Sequence, residues 1–168
     1  MTETGKENNK SKIVNLDKKV QEFISNSRTD NLNSTMIGLT SLGSAPVNTI
    51  FLAFLYLLGS FTESITIGLG LGLTVTVVQT IKYFSSRERP ENQVVKASFS
   101  SSFPSGHSAS AFNLATLLSS FYPALIPISF TTAGLVAFSR VYLGKHFLSD
   151  SVTGSVIGIL TGLITMVL

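Results

Sequence analysis

Five long runs of this 168-residue chain contain almost no charged side chain, and they constrain the fold more than any other feature. A helix of about 20 predominantly apolar residues crosses a bilayer. Charged residues make up 12% of the chain, against about 25% in a soluble domain. The sequence therefore predicts an all-α, integral-membrane bundle with about five transmembrane helices, at residues 45–62, 64–81, 107–122, 123–139 and 147–168.

A further uncharged segment, residues 31–44, is polar and only 14 residues long. This length does not predict a span by itself, but six spans are possible if the segment inserts. Residues 1–12 are polar and mixed in charge, which is typical of a mobile tail. The chain is accordingly divided into residues 1–30, the tail and a helix described next, and residues 31–168, the membrane domain.

Apolar residues recur at steps of three and four between the tail and residue 30, with charged residues between them. This period predicts an amphipathic helix with too many charges to span a membrane. Such a helix lies either in the membrane interface or on the rim of the protein itself. Its apolar residues are Ile13, Leu16, Val20, Phe23 and Ile24.

Glycines at steps of four occur in two of the predicted membrane helices. Gly154, Gly158 and Gly162 share one face of the last helix, and Gly68 and Gly72 share one face of the second. Small residues at this spacing let helix backbones approach closely in lipid. Glycine is also common in membrane helices without this role. Three glycines in register favour close packing for the last helix.

Three polar segments lie at the ends of the apolar runs, and all three meet at one membrane face if the five helices alternate in direction. Anchoring of single cations at the lipid headgroups explains isolated charges at helix ends. It does not explain a cluster that also contains both histidines of the chain and an aspartate. The segments are residues 82–90, 102–108 and 139–150.

The cations of this cluster are suited to a phosphoryl group. Lys82 and Arg89 are seven residues apart and share a helical face if the helix continues to Pro90. Arg140 adds a guanidinium from another helix, and Arg binds such oxygens in bidentate fashion. Ser105 and Gly106 precede an apolar helix, so their N–H groups mark the positive end of its dipole.

The two histidines complete the chemistry. His146 and Asp150 are four residues apart, which places them on one face of a helix. The carboxylate then accepts the proton of one ring nitrogen and leaves the other free as a nucleophile. His107 remains as general acid. No third acidic residue accompanies the histidines and the chain has no cysteine, so a metal site is poorly supported.

These residues resemble the signature of the type 2 phosphatidic acid phosphatase superfamily. Its first part is a lysine followed after six residues by Arg-Pro, as in Lys82 and Arg89-Pro90. Its second part is Pro-Ser-Gly-His, residues 104–107. Its third part is Ser-Arg, five residues, His, three residues and Asp, as in residues 139–150. Every signature position is present and in order.

The resemblance implies a metal-independent lipid phosphatase without a cofactor. His146 forms a phosphohistidine, His107 protonates the leaving group, and Asp150 orients His146. The phosphoryl oxygens are held by Lys82, Arg89, Ser105, Gly106 and Arg140. A polyisoprenyl diphosphate is the favoured substrate, with phosphatidylglycerophosphate and phosphatidic acid as alternatives. Another possibility is a non-catalytic membrane protein that binds or transports phospholipids and retains the phosphate pocket.

The predicted partners are the lipid substrate and the bilayer of the cell membrane. A net charge of +3 without a basic, aromatic-interleaved run does not indicate nucleic-acid binding. With five spans, all twelve Lys and Arg lie on the motif side, and positive-inside counting makes that side cytoplasmic. The resemblance implies an active site facing away from the cytoplasm, which we adopt as the expectation. Neither the oligomeric state nor a role for Arg87 or loop 91–102 follows from the sequence.

Overall fold

The structure is a computed structural model that describes residues 3–95 and 101–168. Within these ranges all regular secondary structure is helical, and the predicted all-α membrane fold is confirmed. A single 3-10 turn, Pro123–Leu125, precedes the sixth helix. The α-helices are α1 (Glu3–Asn26), α2 (Asp30–Ser41), α3 (Ala45–Leu57), α4 (Phe61–Phe84), α5 (Gly106–Phe121), α6 (Ile126–Tyr142) and α7 (Leu148–Thr165). The five predicted membrane segments correspond to α3 through α7.

Helix α5 forms the centre of the bundle and packs against α4, α6 and α7. One apolar cluster joins it to α3 and α4 through Leu55, Ile67, Leu71 and Leu117. A buried polar contact adds specificity: the hydroxyl groups of Thr74 and Thr161 are 2.7 Å apart. Hydrogen bonds between membrane helices of this kind fix their relative register. The central position of α5 brings its N-terminus between the ends of α4, α6 and α7.

Three helical segments of the described residues are long and apolar enough to cross a bilayer alone. They are α4, α7 and the segment Pro123–Tyr142 that combines the 3-10 turn with α6. Helices α2 and α3 together pass the same test, but they are bent by 51° at the break between them. Helix α5 has only 16 residues and is shielded by its neighbours. The number of spans, five or six, stays a prediction.

Helix α2, which covers most of the uncertain segment 31–44, lies beside the motif-bearing end of α6. Its N-cap Thr29 donates its backbone N–H to the Tyr142 hydroxyl at 3.4 Å. Near its other end, the Thr40 hydroxyl accepts a hydrogen bond from Arg140 at 2.9 Å. Arg140 and Tyr142 are both in the last turn of α6, so α2 runs along this end of the bundle.

Helix α1 begins at Glu3, ten residues before the start that the apolar period predicted. The reason is that residues 3–12 contain no apolar side chain, so they show no apolar period although their backbone is helical. Residues 1 and 2 of the predicted tail lie outside the described residues, as do residues 96–100 of loop 91–102. At the other end of the helix, Arg28 donates to the carbonyl oxygens of Tyr142 at 2.8 Å and Asn92 at 2.6 Å, which fastens α1 to the bundle.

Helix α1 packs on the bundle with a face that is partly polar. Asp17 and Gln21 are only 2% and 7% exposed, and Val20 and Ile24 beside them are half-buried. The apolar side chains of Ile13 (52%), Leu16 (54%) and Phe23 (76%) are exposed, as are the other described charged side chains of the same helix. The contacts with α6 and α7 agree with a helix on the rim of the protein. A location in the membrane interface stays a prediction.

The glycines of α7 allow close contact with α5, as their spacing predicted. A Cβ atom added at Gly154 would lie 2.4 Å from the Ser105 carbonyl oxygen, and one at Gly158 would lie 2.1 Å from that of Ala109. Gly72 of α4 faces open space, and only an ordinary contact is found at Gly68. Glycine in α4 at these two positions therefore does not serve helix packing, whereas the prediction for α7 is confirmed.

We expect Gly158→Ala to lower the free energy of unfolding by about 1–3 kcal/mol, the usual effect of overpacking a filled contact. The backbone of α5 is the obstacle and cannot rotate away as a side chain does. The matched control is Gly72→Ala, whose added methyl group meets nothing within 4 Å. Thermal unfolding in detergent micelles measures both variants. Equal midpoints would contradict the packing role of Gly158.

Candidate active site

The loop after α4 carries the first group of predicted site residues to the end of α6. Helix α4 ends at Phe84, so the expectation that it continues to Arg89 is wrong. The chain instead folds back, and Arg89 Nη1 donates to the Lys145 carbonyl oxygen at 2.7 Å. The same nitrogen lies 3.5 Å from His146 Nε2. Arg89 therefore reaches the histidine from a loop and not along a helical face.

Lys82 and Arg140 approach the same histidine from α4 and α6. Lys82 Nζ donates to the Ser101 carbonyl oxygen at 2.5 Å. Arg140 is 6% exposed, and its Nη1 donates to Thr40 Oγ1 at 2.9 Å. Its Nε is buried and has no partner among the described residues. Buried donors are nearly always paired, so an unpaired one indicates a place for an acceptor. We interpret this N–H as a donor for an anionic oxygen.

His146 presents one ring nitrogen to these cations and holds the other in a backbone hydrogen bond. Its Nδ1 lies 2.6 Å from the Ser102 carbonyl oxygen. Because a carbonyl oxygen only accepts, Nδ1 carries the proton and Nε2 carries the lone pair. Burial, together with Arg140, Arg89 and Lys82, holds the pKa of His146 well below 6.5. The ring is therefore neutral, and Nε2 is free to act as a nucleophile, at neutral pH.

The structure places Asp150 near His146 without a hydrogen bond between them. His146 precedes the N-cap of α7, so the two residues do not share a helical face. The distance from Nδ1 to Asp150 Oδ2 is 3.9 Å. Asp150 instead accepts the Phe147 backbone N–H at 2.8 Å and Arg87 Nη1 at 2.7 Å. Asp150 is thus hydrogen-bonded to the start of α7 and to the loop after α4.

Ser105 and Gly106 begin α5, as the sequence predicted. Ser105 is the N-cap, and its hydroxyl accepts the Ser108 backbone N–H at 3.4 Å. The Ser105 N–H is engaged with the Asp150 carbonyl oxygen at 3.0 Å and so does not point to an open site. A Cβ atom at Gly106 would meet Val78 at 3.6 Å, an ordinary contact, so helix packing does not require glycine at this position.

His107 is half-buried in the first turn of α5. Arg140, Lys145 and Arg89 lie close enough to act on it electrostatically. Arg140 and Arg89 act in the same way on His146. Both histidines therefore share one positively charged environment, although they come from segments separated along the chain.

Four supporting residues were not identified from the sequence. Ser102 acts through its carbonyl oxygen, which every residue possesses. Thr40 and Asp17 contact the site from helices that precede the signature. Arg87 was noticed but given no role, and it forms ion pairs with Asp17 at 2.6 Å and Asp150 at 2.7 Å. Only for Arg87 did the sequence offer a signal, namely a cation between two signature positions.

The arrangement combines a neutral imidazole nitrogen with three converging cations. Such a site attracts an anion and places a nucleophile beside it, which is the combination that phosphoryl transfer requires. In residues 3–95 and 101–168, no group of three or more His, Cys, Asp or Glu side chains is placed to hold a metal ion.

Comparisons with known proteins give a consistent result. Residues 63–168 match the model of the PAP2 superfamily. Phosphatidylglycerophosphatase B of Bacillus subtilis is 30% identical over 144 residues, 77% of this chain and 71% of that protein. Lipid A 1-phosphatase of Porphyromonas gingivalis is 34% identical over 98 residues, 56% of this chain but only 21% of that longer protein.

Two solved structures have the same fold. The crystal structure of a transmembrane PAP2-type phosphatidylglycerolphosphate phosphatase from Bacillus subtilis superposes with a TM-score of 0.81 and 28% identity, covering 92% of this chain and 84% of that one. Aquifex aeolicus LpxE superposes with a TM-score of 0.82 and 30% identity, covering 89% of this chain and 94% of that one.

Proposed function

The chain belongs to the PAP2 superfamily, and from this membership we propose that it is an integral-membrane lipid phosphatase acting through a phosphohistidine. The resemblance that the signature predicted is confirmed. The observation that carries the proposal is the orientation of His146, whose Nδ1–H is held by the Ser102 carbonyl while Nε2 faces the cations. The relatives are named for lipid phosphates, which suggests the same class of substrate for this chain.

In the proposed reaction, His146 Nε2 attacks phosphorus and the bond from phosphorus to the lipid oxygen breaks. His107 gives its proton to the departing oxygen. Water then attacks the phosphohistidine, passes a proton to His107 and releases inorganic phosphate, which restores both histidines. Lys82, Arg89 and Arg140 hold the phosphoryl oxygens, where Arg140 Nε is an unpaired donor among the described residues. Ser105 and Gly106 are proposed to assist from the start of α5, and Asp150 to orient His146.

An apolar cavity next to the site supports a lipid substrate. Its volume is about 270 Å³, and its lining comes from α3, α5, α6 and Leu42. Val136 lines this cavity and also lies against Gly43, whose added Cβ would be 2.7 Å from Val136 Cγ1 and 3.0 Å from the His107 carbonyl oxygen. The cavity therefore begins about one turn along α5 from His107, at Ala111. An acyl or isoprenoid chain fits such a lining, while the phosphate stays among the cations.

A substrate panel tests the proposal. The purified protein is given a polyisoprenyl diphosphate, phosphatidylglycerophosphate, phosphatidic acid and lipid A in mixed micelles with a chelator present. We expect release of inorganic phosphate from at least one of them, with a polyisoprenyl diphosphate as the favoured substrate. Turnover should be unchanged by the chelator, because the proposed steps use only side chains of the protein.

Two results would contradict the proposed function. Phosphate release that appears only after addition of a divalent metal would refute the metal-independent mechanism. A protein that binds these lipids without hydrolysing any would be a lipid-binding or transport protein with the same pocket. The variant His146→Ala provides the background rate in both cases.

The outward apolar face of α1 supports an interfacial location for residues 1–30. Ile13, Leu16 and Phe23 are exposed along this face, whereas Asp17 and Gln21 are buried against the bundle. Apolar surface of this kind is buried at the boundary of headgroups and acyl chains. We propose residues 31–168 as the membrane phosphatase domain, because this range contains the helices that are long and apolar enough to cross a bilayer and all signature residues.

The active site is proposed to face away from the cytoplasm, in keeping with the family resemblance. Helix α1 and the signature residues lie at the same end of the bundle, because Arg87 pairs with Asp17. Single cysteines at positions 6 and 91 of the cysteine-free chain should therefore label from the same side, the extracytoplasmic one. Labelling of both from the cytoplasm would reverse the orientation, and labelling from opposite sides would show that residues 31–44 cross.

A further inference from the structure

Asp17 is an acidic residue on the inner face of α1, outside the signature and outside the family match at residues 63–168. It is 2% exposed, and both carboxylate oxygens are used. Oδ1 accepts the Ser149 backbone N–H at 3.0 Å. Oδ2 accepts the Ser149 hydroxyl at 2.5 Å and Arg87 Nη2 at 2.6 Å. The side chain thus connects α1 to two segments that border the site.

The first of these segments is the start of α7, where Asp150 accepts the N–H of Phe147 but the N-cap side chain offers no acceptor to the next N–H groups. Phe147 is the N-cap residue and has no polar side-chain atom. The first N–H groups of a helix have no partner inside it, and negative charge is favourable there. Asp17 supplies the missing acceptor to Ser149 from another helix. His146 immediately precedes Phe147, so a fixed start of α7 also fixes the backbone of His146.

The second segment is the loop after α4. There Arg87 connects the carboxylates of Asp17 and Asp150 to the backbone of Ser102, which orients the His146 ring. Its Nη1 donates to Asp150 Oδ1 at 2.7 Å, opposite the contact with Asp17. Its carbonyl oxygen accepts the Ser102 N–H at 2.9 Å. Ser102 in turn holds His146 Nδ1 at 2.6 Å. Arg87 is therefore held between two buried carboxylates and supports the carbonyl that sets the tautomer of the nucleophile.

We propose that Asp17 is a positioning residue for His146, acting through the start of α7 and through Arg87. This inference rests on the proposed phosphatase function and extends the machinery of the site to α1. Removal of the carboxylate leaves the Ser149 N–H and one side of Arg87 without their acceptor. The nucleophile then loses alignment. The contacts that Asp17 makes within the described residues are with Ser149 and Arg87, and not with Lys82, Arg89 or Arg140, which are proposed to bind the phosphoryl group.

The test compares three full-length variants in the lipid substrate assay. Asp17→Ala removes both contacts, and Asp17→Asn keeps a neutral acceptor for Ser149 but loses the charge that pairs with Arg87. Glu22→Gln is the matched control, since it removes one exposed carboxylate from the same helix. We expect Asp17→Ala to lower kcat by about 10- to 100-fold with KM changed less than about threefold, as for misalignment of reacting groups. Asp17→Asn is expected between it and the wild-type protein, and Glu22→Gln equal to wild type.

Rapid quenching tests whether Asp17 aligns the nucleophile or only anchors α1. If it aligns the nucleophile, the rate of phosphohistidine formation in Asp17→Ala should fall by the same factor as kcat. The thermal midpoint of Asp17→Ala is compared with that of Glu22→Gln to show that the variant is folded. The double variant Asp17→Ala/Arg87→Ala should be slower than Arg87→Ala, because the contacts of Asp17 with Ser149 are lost as well, but faster than the product of the two single effects predicts, because the two residues share one ion pair. If Asp17→Ala does not fold, the kcat of Asp17→Asn relative to Glu22→Gln decides.

Different results refute the two proposals. A wild-type protein without turnover on any substrate would overturn the proposed function and this inference with it. An active wild-type protein whose folded Asp17 variants form phosphohistidine as fast as Glu22→Gln would overturn this inference alone. A loss confined to KM would also overturn it, because that result assigns Asp17 to binding.

Discussion

Replacement of His146 by alanine is expected to lower kcat by about 10⁴-fold or more, while the protein keeps its fold. Loss of the attacking atom removes the covalent path altogether, and a factor of 10⁴ corresponds to about 5 kcal/mol of barrier. His146 is 2% exposed and packs behind the cations, so its Nε2 is the ring atom that faces them. The measurement is phosphate release under saturating lipid, with a phosphate-labelled substrate for trapping.

A second substitution separates the loss of the nucleophile from the loss of structure. In His146→Asn the amide N–H is suited to replace Nδ1–H as donor to the Ser102 carbonyl, but no nucleophilic nitrogen remains. Both variants should be equally inactive and form no acid-labile adduct. Both should still bind inorganic phosphate, because Lys82, Arg89 and Arg140 are unchanged. Turnover of His146→Asn within tenfold of wild type would exclude a phosphohistidine.

The second large effect is expected for His107→Ala, and its size should depend on the leaving group. A general acid contributes about 10²- to 10⁴-fold when the departing oxygen is a poor leaving group. When His146 attacks a polyprenyl monophosphate, the leaving group is the polyprenol alkoxide, which needs this proton. When it attacks the terminal phosphorus of the diphosphate, the leaving group is the polyprenyl monophosphate, which needs the proton far less. The loss in phosphohistidine formation should therefore be large for the monophosphate and small for the diphosphate.

The second step of the reaction, hydrolysis of the phosphohistidine, tests the role of His107 independently. His107 is also proposed to remove a proton from the attacking water, so its loss slows hydrolysis of the phosphohistidine. With the diphosphate, His107→Ala should show a burst of one turnover followed by a stalled, phosphorylated protein, visible after alkaline quench. Equal losses on both substrates without accumulation of the adduct would assign His107 a structural role in its place.

The sequence predicted the helical segments well because each depends on local information. The limits of α4 through α7 differ by a few residues from the charge-free runs, since a membrane helix is set by the apolar length that must be covered. The exception is the end of α4. Pro90 suggested that the helix continues to Arg89, whereas the chain leaves the helix at Phe84 to let the loop fold back. Nothing in the residues 85–89 marks that exit strongly.

The sequence was less informative about what holds the site together. Arg87 and Asp17 are 70 residues apart, and Arg140 and Thr40 are 100 residues apart. Such pairs arise only from the packing of whole helices, which no local pattern encodes. The role expected for Asp150 illustrates the same limit. A spacing of four residues suggested a contact with His146, but α7 begins only after the histidine and a backbone carbonyl holds the ring.

The hydrogen bond between Thr40 and Arg140 has a practical consequence for anyone who shortens this protein. A fragment cut at residue 63, where the recognisable family segment begins, would retain every signature side chain. It would also strip Arg140 of the hydroxyl that holds one end of its guanidinium. The smallest working unit is therefore larger than the stretch by which the protein is recognised, and expression boundaries should be drawn from the contacts of α1 and α2.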